Sequence, residues 1–201
     1  MEKIRQPQQE RSIEKKNKII EAAYEIFSEV GYYAANTPEI AKKAGVSTGI
    51  IYGYFKNKRD ILSYVLKIYI NKVALPVMDY FETLNSDSDL KKAVSDVVNM
   101  TIDIHSSNAN LHNILHSLAV TEKDINEDFI NLEDHITSKA SEKLSELGVK
   151  TDNIDNIKEK VHISMNLIQS FAHENTYDKH KYLNYNAMKN EVENIIISLF
   201  S

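Results

Sequence analysis

TPEIAKKAGVSTGIIYGYFKNK, Thr37 to Lys58, is the stretch that decides the fold. Thr37 has the chemistry of an N-cap, and Pro38 follows at the first helical position, where its missing N–H costs nothing. Glu39 places negative charge in the first turn, against the helix dipole. Ile40, Ala41 and Ala44 form the apolar stripe of a helix of about two turns. Gly45 ends it, as a residue tolerant of positive φ should, and Val46 anchors the turn. Ser47 caps a second short helix, which is expected to carry Ile51, Tyr52 and Phe55 inward. Asn57 caps a third, running from Lys58 through Ile61, Leu62 and Val65. Two helices crossing near a right angle need a small residue where they touch, and Ala41 has that place. The second helix is aromatic and contains no acid. This is the form of a helix-turn-helix that docks on DNA.

Upstream, IIEAAYEIFSEVGYYAANT completes the pattern. Ile19, Ile20, Ala23, Phe27 and Val30 recur at helical spacing, Gly31 terminates the helix, and Tyr32 and Tyr33 fill the link to Thr37. A helix ending in Phe27, Glu29 and Gly31 is followed by IAKKAGVS (40–47) and IYGYFKNKRDIL (51–62). Over roughly residues 15 to 66 this order of residue types resembles the TetR family of bacterial transcriptional regulators.

Composition agrees with an all-α chain. Glycine and proline are few, at 5 and 3, and charged residues recur at helical spacing. With 201 residues the chain is one domain or two small ones. No cysteine is present, which excludes disulfides and thiolate metal sites and fits a reducing cytoplasm. No apolar run of membrane-spanning length and no signal peptide are read, so no membrane partner is expected. The net charge of −5 is unevenly distributed. Residues 1–59 hold 11 Lys and Arg against 7 Asp and Glu, whereas residues 60–201 hold 13 against 22. The positive end carries the helix-turn-helix, as phosphate contact would require.

The resemblance implies that the second helix, Ser47 to Phe55, enters the major groove. It also implies that Thr37, Ser47, Tyr52, Tyr54 and Lys58 hold phosphates. Such contacts set register without reading sequence. Tyr52 is expected to turn its ring inward and its hydroxyl to the DNA backbone, and Phe55 is expected to be core. The helix STGIIYGYF has no Arg, Asn, Gln or Lys, the residues that make strong bidentate base contacts. Gly49 and Gly53 offer no side chain. Ile51 points inward, so Ile50 points outward, and Thr48 and Ile50 are left to reach base edges, the isoleucine against thymine methyls. DNA shape, Lys42, Lys43 and a basic arm with Arg5 and Arg11 would supply the rest.

The remainder reads as helices, about nine in all, which is the family's layout. The helix from Lys58 is expected to reach about Val73 and to end or kink at Pro76. Ser86 or Ser88 would cap the next; Asp87 and Asp89 lack the glycine and glutamate of a calcium loop. Asn108 or Asn110 starts a short helix, and Asn126 to Leu147 is a long one stopped by Gly148. Thr151 or Asp152 starts a helix carrying Ile154, Ile157, Val161, Met165, Ile168, Phe171 and Ala172. Asn175 to Asn186 is read as a polar loop, and Ala187 to Phe200 as the last helix.

In domains, this gives a mobile arm (1–11), a helix-turn-helix DNA-binding domain (12–57, motif about 36–55) and a helical regulatory and dimerisation domain (58–201). By resemblance the last two helices pair with a second copy, with Met165, Ile168, Ile196, Leu199 and Phe200 as interface candidates. A homodimer places two recognition helices about one DNA turn apart on a palindromic operator. The family's small-molecule effector binds among the middle helices, changes the separation of the DNA-reading heads and lowers affinity for DNA. Tyr69, Met100, His105, His116, Phe129 and Met165 are lining candidates. His112 and His116 stand one helical turn apart, but no further ligand joins them, so no metal is assigned. No cofactor is expected.

The reading that results is a ligand-responsive DNA-binding repressor. An enzyme is disfavoured, because the chain has no phosphate-cradling glycine loop, nucleophile motif or metal triad. The alternatives are a helical adaptor that has lost specific DNA binding and a ligand-responsive activator.

Overall fold

The computed structural model describes residues 8–149 and 156–200. Among them it shows nine α-helices and no strand. The helices are α1 (Gln8–Val30), α2 (Thr37–Ala44), α3 (Thr48–Tyr54), α4 (Lys58–Thr83), α5 (Leu90–Ser107), α6 (Ala109–Ala119), α7 (Lys123–Glu146), α8 (Ile157–Tyr177) and α9 (Tyr185–Leu199). The chain divides into two units. The first takes in residues up to Asn71 with Ala109–Ile125, and the second Lys72–Asn108 with residues from Asn126 on.

In the first unit α1 packs on α2 and α6, and α2 on α3. Ile19, Ala23 and Phe27 of α1, Ile40 and Ala41 of α2, Ile51 of α3, and Phe55 are buried with Ile61, Leu62, Val65 and Leu66 of α4. Leu111 and Leu115 of α6 are buried there too. Each buried Ile, Leu, Val or Phe side chain contributes about 1.5–3 kcal/mol by leaving water. Asn110 donates to the carbonyls of Ser28 (2.9 Å) and Glu29 (3.1 Å), satisfying acceptors at the C-terminal end of α1. Arg59, in the first turn of α4, pairs with Glu122 and donates to Ser63. The carboxylate raises the guanidinium's pKa.

In the second unit α5 packs on α8 and α9, and α8 on α9. Val94, Val98, Val161, Ile168, Phe171, Val192, Ile196 and Phe200 form its apolar centre, with Ala140 of α7. Tyr80 donates to Asp96 at 2.7 Å; burial and that carboxylate push the phenol up to about 12.

Several expected boundaries move. α1 already includes residues 8–11, the described part of the expected arm, so Arg11 lies on a helix. α4 runs through Pro76 to Thr83 rather than stopping near Val73. Proline inside a helix costs about 3 kcal/mol. Burial of Ala74 and Val77 on either side offsets that cost. α4 is also long and apolar enough to span a membrane by composition, with a mean hydropathy of 1.4 over 18 residues. Ile61, Leu62, Val65, Leu66 and Tyr69 spend that apolarity in the core of the first unit.

α5 is capped by Asp89, which accepts from Lys91 N–H, whereas Ser88 accepts from Asn85 N–H. Asn108 ends α5, and α6 begins at Ala109. α7 begins at Lys123, three residues before the expected start. Gly148 does stop it, at φ 69°, with Val149 N–H bonded to Leu144 O and Gly148 N–H to Ser145 O. The expected starts Thr151 and Asp152, and Ile154, lie outside the described residues. α8 extends to Tyr177 and α9 starts at Tyr185, so the expected loop shrinks to 178–184. Tyr185 explains the shortening. Its hydroxyl accepts from His180 N–H at 2.8 Å and donates to Glu174 at 3.1 Å, and Asn184 caps α9.

Candidate DNA-binding site

α2 is built by strong local signals. Its N-cap is Asn36, not Thr37: the Asn36 side chain accepts from Glu39 N–H at 3.0 Å. Thr37 and Pro38 form the first turn, and Thr37 is buried. Gly45 adopts φ 68°, and Val46 N–H bonds Ala41 O (3.0 Å) while Gly45 N–H bonds Lys42 O (3.2 Å). A residue with a Cβ would be strained there, and this pair of bonds consumes carbonyls that α2 would leave orphaned.

α3 follows with Ser47 at its N-cap, in extended conformation, but the serine side chain makes no capping bond. The helix ends where Phe55 N–H reaches Ile51 O at 2.9 Å. Ile51 and Phe55, four apart, are 1% and 2% exposed and set the inward stripe. Ile50 is 36% exposed, on the outer side as expected. Tyr52 departs from expectation: it is 58% exposed, ring and all, because it sits about 100° around the helix from Ile51. Gly49 and Gly53 are exposed, so α3 presents bare backbone between Thr48, Ile50 and Tyr52.

The flanks of α3 are braced. Lys16 stands 3.9 Å from the centroid of the Tyr64 ring, and the Phe55 ring packs edge-on against Tyr64. Asn57 caps α4 by accepting from Asp60 N–H (2.9 Å), and Asp60 accepts from Lys56 N–H (3.0 Å).

The other expected phosphate holders are engaged within the unit. The hydroxyls of Tyr54 and Ser12 are 3.1 Å apart. Lys43 pairs with Glu25 (2.8 Å) and Glu29 (2.9 Å), which hold its ammonium above the usual lysine range. Lys58 departs most from expectation. Its ammonium donates to the carbonyls of Tyr32 and Ala35, and burial lowers its pKa. Arg5 lies outside the described residues. Lys42 is exposed. Tyr33, in the link before α2, is 77% exposed. The signal for it was the Tyr32–Tyr33 doublet: Tyr32 packs on Phe27, which turns its neighbour outward.

The effector candidates are divided between the two units. Tyr69 and His116 belong to the first unit; Met100, His105, Phe129 and Met165 belong to the second. Tyr69 is buried, its hydroxyl 2.6 Å from His112 Nδ1, and the His116 ring lies 4.2 Å from that of His112. His105 is buried with Nδ1 2.8 Å from Thr101 O, and burial lowers its pKa. Phe129 is buried and Met100 and Met165 are half-buried. A cleft of about 60 Å³ in the second unit is lined by Met78, Phe81, Glu82, Lys139, Glu142, Lys143 and Glu146, none of the six candidates. It is far below the ~300–1,000 Å³ of an organic-ligand pocket. Among the described residues no cluster of three or more His, Asp or Glu could hold a metal ion.

Of the dimer candidates, Ile168, Ile196 and Phe200 are buried in the centre of the second unit, with Leu199 packed against it and Met165 half-buried. Ile163 (55% exposed) and Ile195 (49%) instead carry apolar surface outward from α8 and α9.

An all-α chain with an N-terminal unit of this geometry carries a helix-turn-helix. Residues 19–65 match the family model described as bacterial regulatory proteins, tetR family. The chain is thus similar in sequence to tetR-family regulators over 47 of its 201 residues. It is 52% identical over 54 residues to the HTH-type transcriptional regulator HbdR of Aromatoleum sp. (strain CIB), covering 27% of this chain and 24% of that one. It is 36% identical over 89 residues to the fatty acid metabolism regulator protein of Bacillus subtilis (strain 168), covering 44% and 42%. The match thus spans less than half the length of these curated relatives. A crystal structure from Mesorhizobium loti, described as of a TetR-family transcriptional regulator, shares the fold over 94% of this chain and 96% of its own, with a TM-score of 0.74 at 17% identity.

Proposed function

We propose that the protein is a DNA-binding transcriptional regulator of the cytoplasm, acting as a homodimeric repressor on a palindromic operator and released by a small-molecule effector. The observation that carries this is the split of α3: Ile51 and Phe55 are anchored in the core while Ile50, Tyr52 and two bare glycines face out. A seven-residue helix with that face suits the major groove, where close approach needs small residues. Thr48 and Ile50 then read bases, with Ile50 against thymine methyls, and Tyr52, Ser47, Gly49 and the first turn of α2 at Thr37 hold the backbone. Lys42 adds exposed charge. The exposed Ile163 and Ile195 support a pairing face on α8 and α9, with Met165 and Leu199 at its edge.

Selection of bound sequences from random DNA by the purified protein tests the reading. A motif with two inverted half-sites centred about 10 base pairs apart is expected. Binding should weaken linearly in log–log with salt. Ile50→Ala should erase a preference for T at one position of each half-site. Failure to enrich any sequence at any salt would overturn the reading and favour the adaptor. A compound screen for loss of binding to the selected sequence then finds the effector.

A further inference from the structure

Ser12 Oγ and the Tyr54 hydroxyl are 3.1 Å apart, although the two residues are 42 apart in the chain. Serines elsewhere in these helices turn back on their own backbone: Ser106, Ser141 and Ser164 each donate to the carbonyl four residues earlier. Ser12 reaches a side chain on another helix. It lies in the second turn of α1, and Tyr54 is the last residue of α3.

Both partners are held by what lies next to them. Phe55 follows Tyr54 directly and is buried. Lys16 stands one turn beyond Ser12 on the same face of α1. Its Nζ is 3.9 Å from the centroid of the Tyr64 ring and 5.7 Å from that of Phe55. This stripe of α1 thus meets the end of α3 and the first two turns of α4, and it continues into the buried Ile19, Ala23 and Phe27. The hydroxyl pair therefore joins two packed helices rather than two loose side chains.

A hydroxyl has one hydrogen to give and lone pairs with which to accept. Tyr54 can donate to Ser12, which spends its hydrogen, or accept from Ser12, which leaves that hydrogen for another oxygen. A DNA phosphate offers acceptors only, so it selects the second arrangement. The exchange needs no more than rotation of two hydroxyl hydrogens. We infer that Ser12 is a positioning residue for DNA binding: its hydroxyl donates to the Tyr54 oxygen and holds the phenol with its own O–H free for a DNA phosphate. In the resulting chain, from Ser12 to Tyr54 to phosphate, each bond polarises and strengthens the next. The inference rests on the proposed DNA binding and adds to it a residue of α1, outside the helix-turn-helix.

The test is a double-mutant cycle with full-length protein on the selected operator, across a salt series: wild type, Ser12→Ala, Tyr54→Phe and the double variant. Tyr54→Phe and Ser12→Ala should each weaken binding about three- to tenfold, as for loss of one hydrogen bond. Ser12→Ala should have no further effect once Tyr54 is replaced by phenylalanine. Alanine is a better helix former than serine, so a frayed α1 does not account for a loss at Ser12. Neither residue is charged, so the log–log salt slope should stay that of the wild type. Losses that multiply in the double variant overturn the inference, as does unchanged affinity in either single variant. A slope reduced by about 0.9 in Ser12→Ala also overturns it, since Ser12 would then act through the charges of α1. Wild-type protein that binds no DNA overturns the proposed function itself, whereas wild-type binding with multiplied losses overturns only the role of Ser12.

Discussion

α2 and α3 are neighbours of nearly equal length, eight residues and seven, and they are stabilised in opposite ways. α2 is locally specified: an asparagine cap, a proline and a glutamate in the first turn, and a glycine that ends it in left-handed conformation. α3 has an unbonded serine at its cap, two glycines within its seven residues and no charged side chain. Isolated helices this short do not persist in water. α3 is therefore a helix because Ile51 and Phe55 are buried, because α3 packs on α2 and Phe55 meets Tyr64 of α4, and because Asn57 and Asp60 pin the residues behind it. The difference is instructive. A helix whose outer face is kept small and uncharged, free to meet a partner, gives up the residues that would stabilise it locally. Its neighbours must supply the rigidity.

The contrast is sharpest at Phe55. Phe55→Ala should destabilise the protein by about 3–5 kcal/mol, read as a lowered midpoint in urea. A loss below about 1 kcal/mol would mean that packing does not hold α3. Asn36→Ala should cost about 1 kcal/mol in the same assay, since α2 loses a bonded cap. Gly53→Ala should stabilise by about 0.5–1 kcal/mol, because a Cβ there meets nothing within 4 Å and alanine is the better helix former. The same change should weaken operator binding in a gel shift, if α3 approaches the DNA backbone at that point. The smallest effect belongs to Ser47→Ala, within about 0.5 kcal/mol by thermal melting, as its hydroxyl caps nothing. Equal losses at Asn36 and Ser47 would erase the distinction between the two helices.

Much of this head was legible in the residues. Gly45 stops α2 by a rule that involves only the last turn, as Gly148 does for α7 in the second unit, and Asn57 caps α4 by a rule spanning three residues. The alternation of Ile50 outward and Ile51 inward follows from helical periodicity once Phe55 joins Ile51. The same periodicity turns Tyr52 outward, about 100° around the helix from Ile51. The helical class and the family pattern of residues 19–65 rest on such short-range signals, which a single chain displays in full.

What only the tertiary structure decided has a common physical form: long side chains and apolar runs with more than one possible destination. Lys58 could reach a phosphate or a carbonyl, and the carbonyls that hold it lie 23 residues upstream. Lys43 finds Glu29 14 residues away, and Tyr54 finds Ser12 at 42. Ile195, Ile196 and Ile197 are apolar on every side of α9, so nothing local says that Ile196 goes into the core and Ile195 to the surface. Pro76 stays helical because Ala74 and Val77 are buried. Local rules reach about one helical turn along the chain. These choices were made by partners beyond that range, through contacts that exist only once the helices are packed.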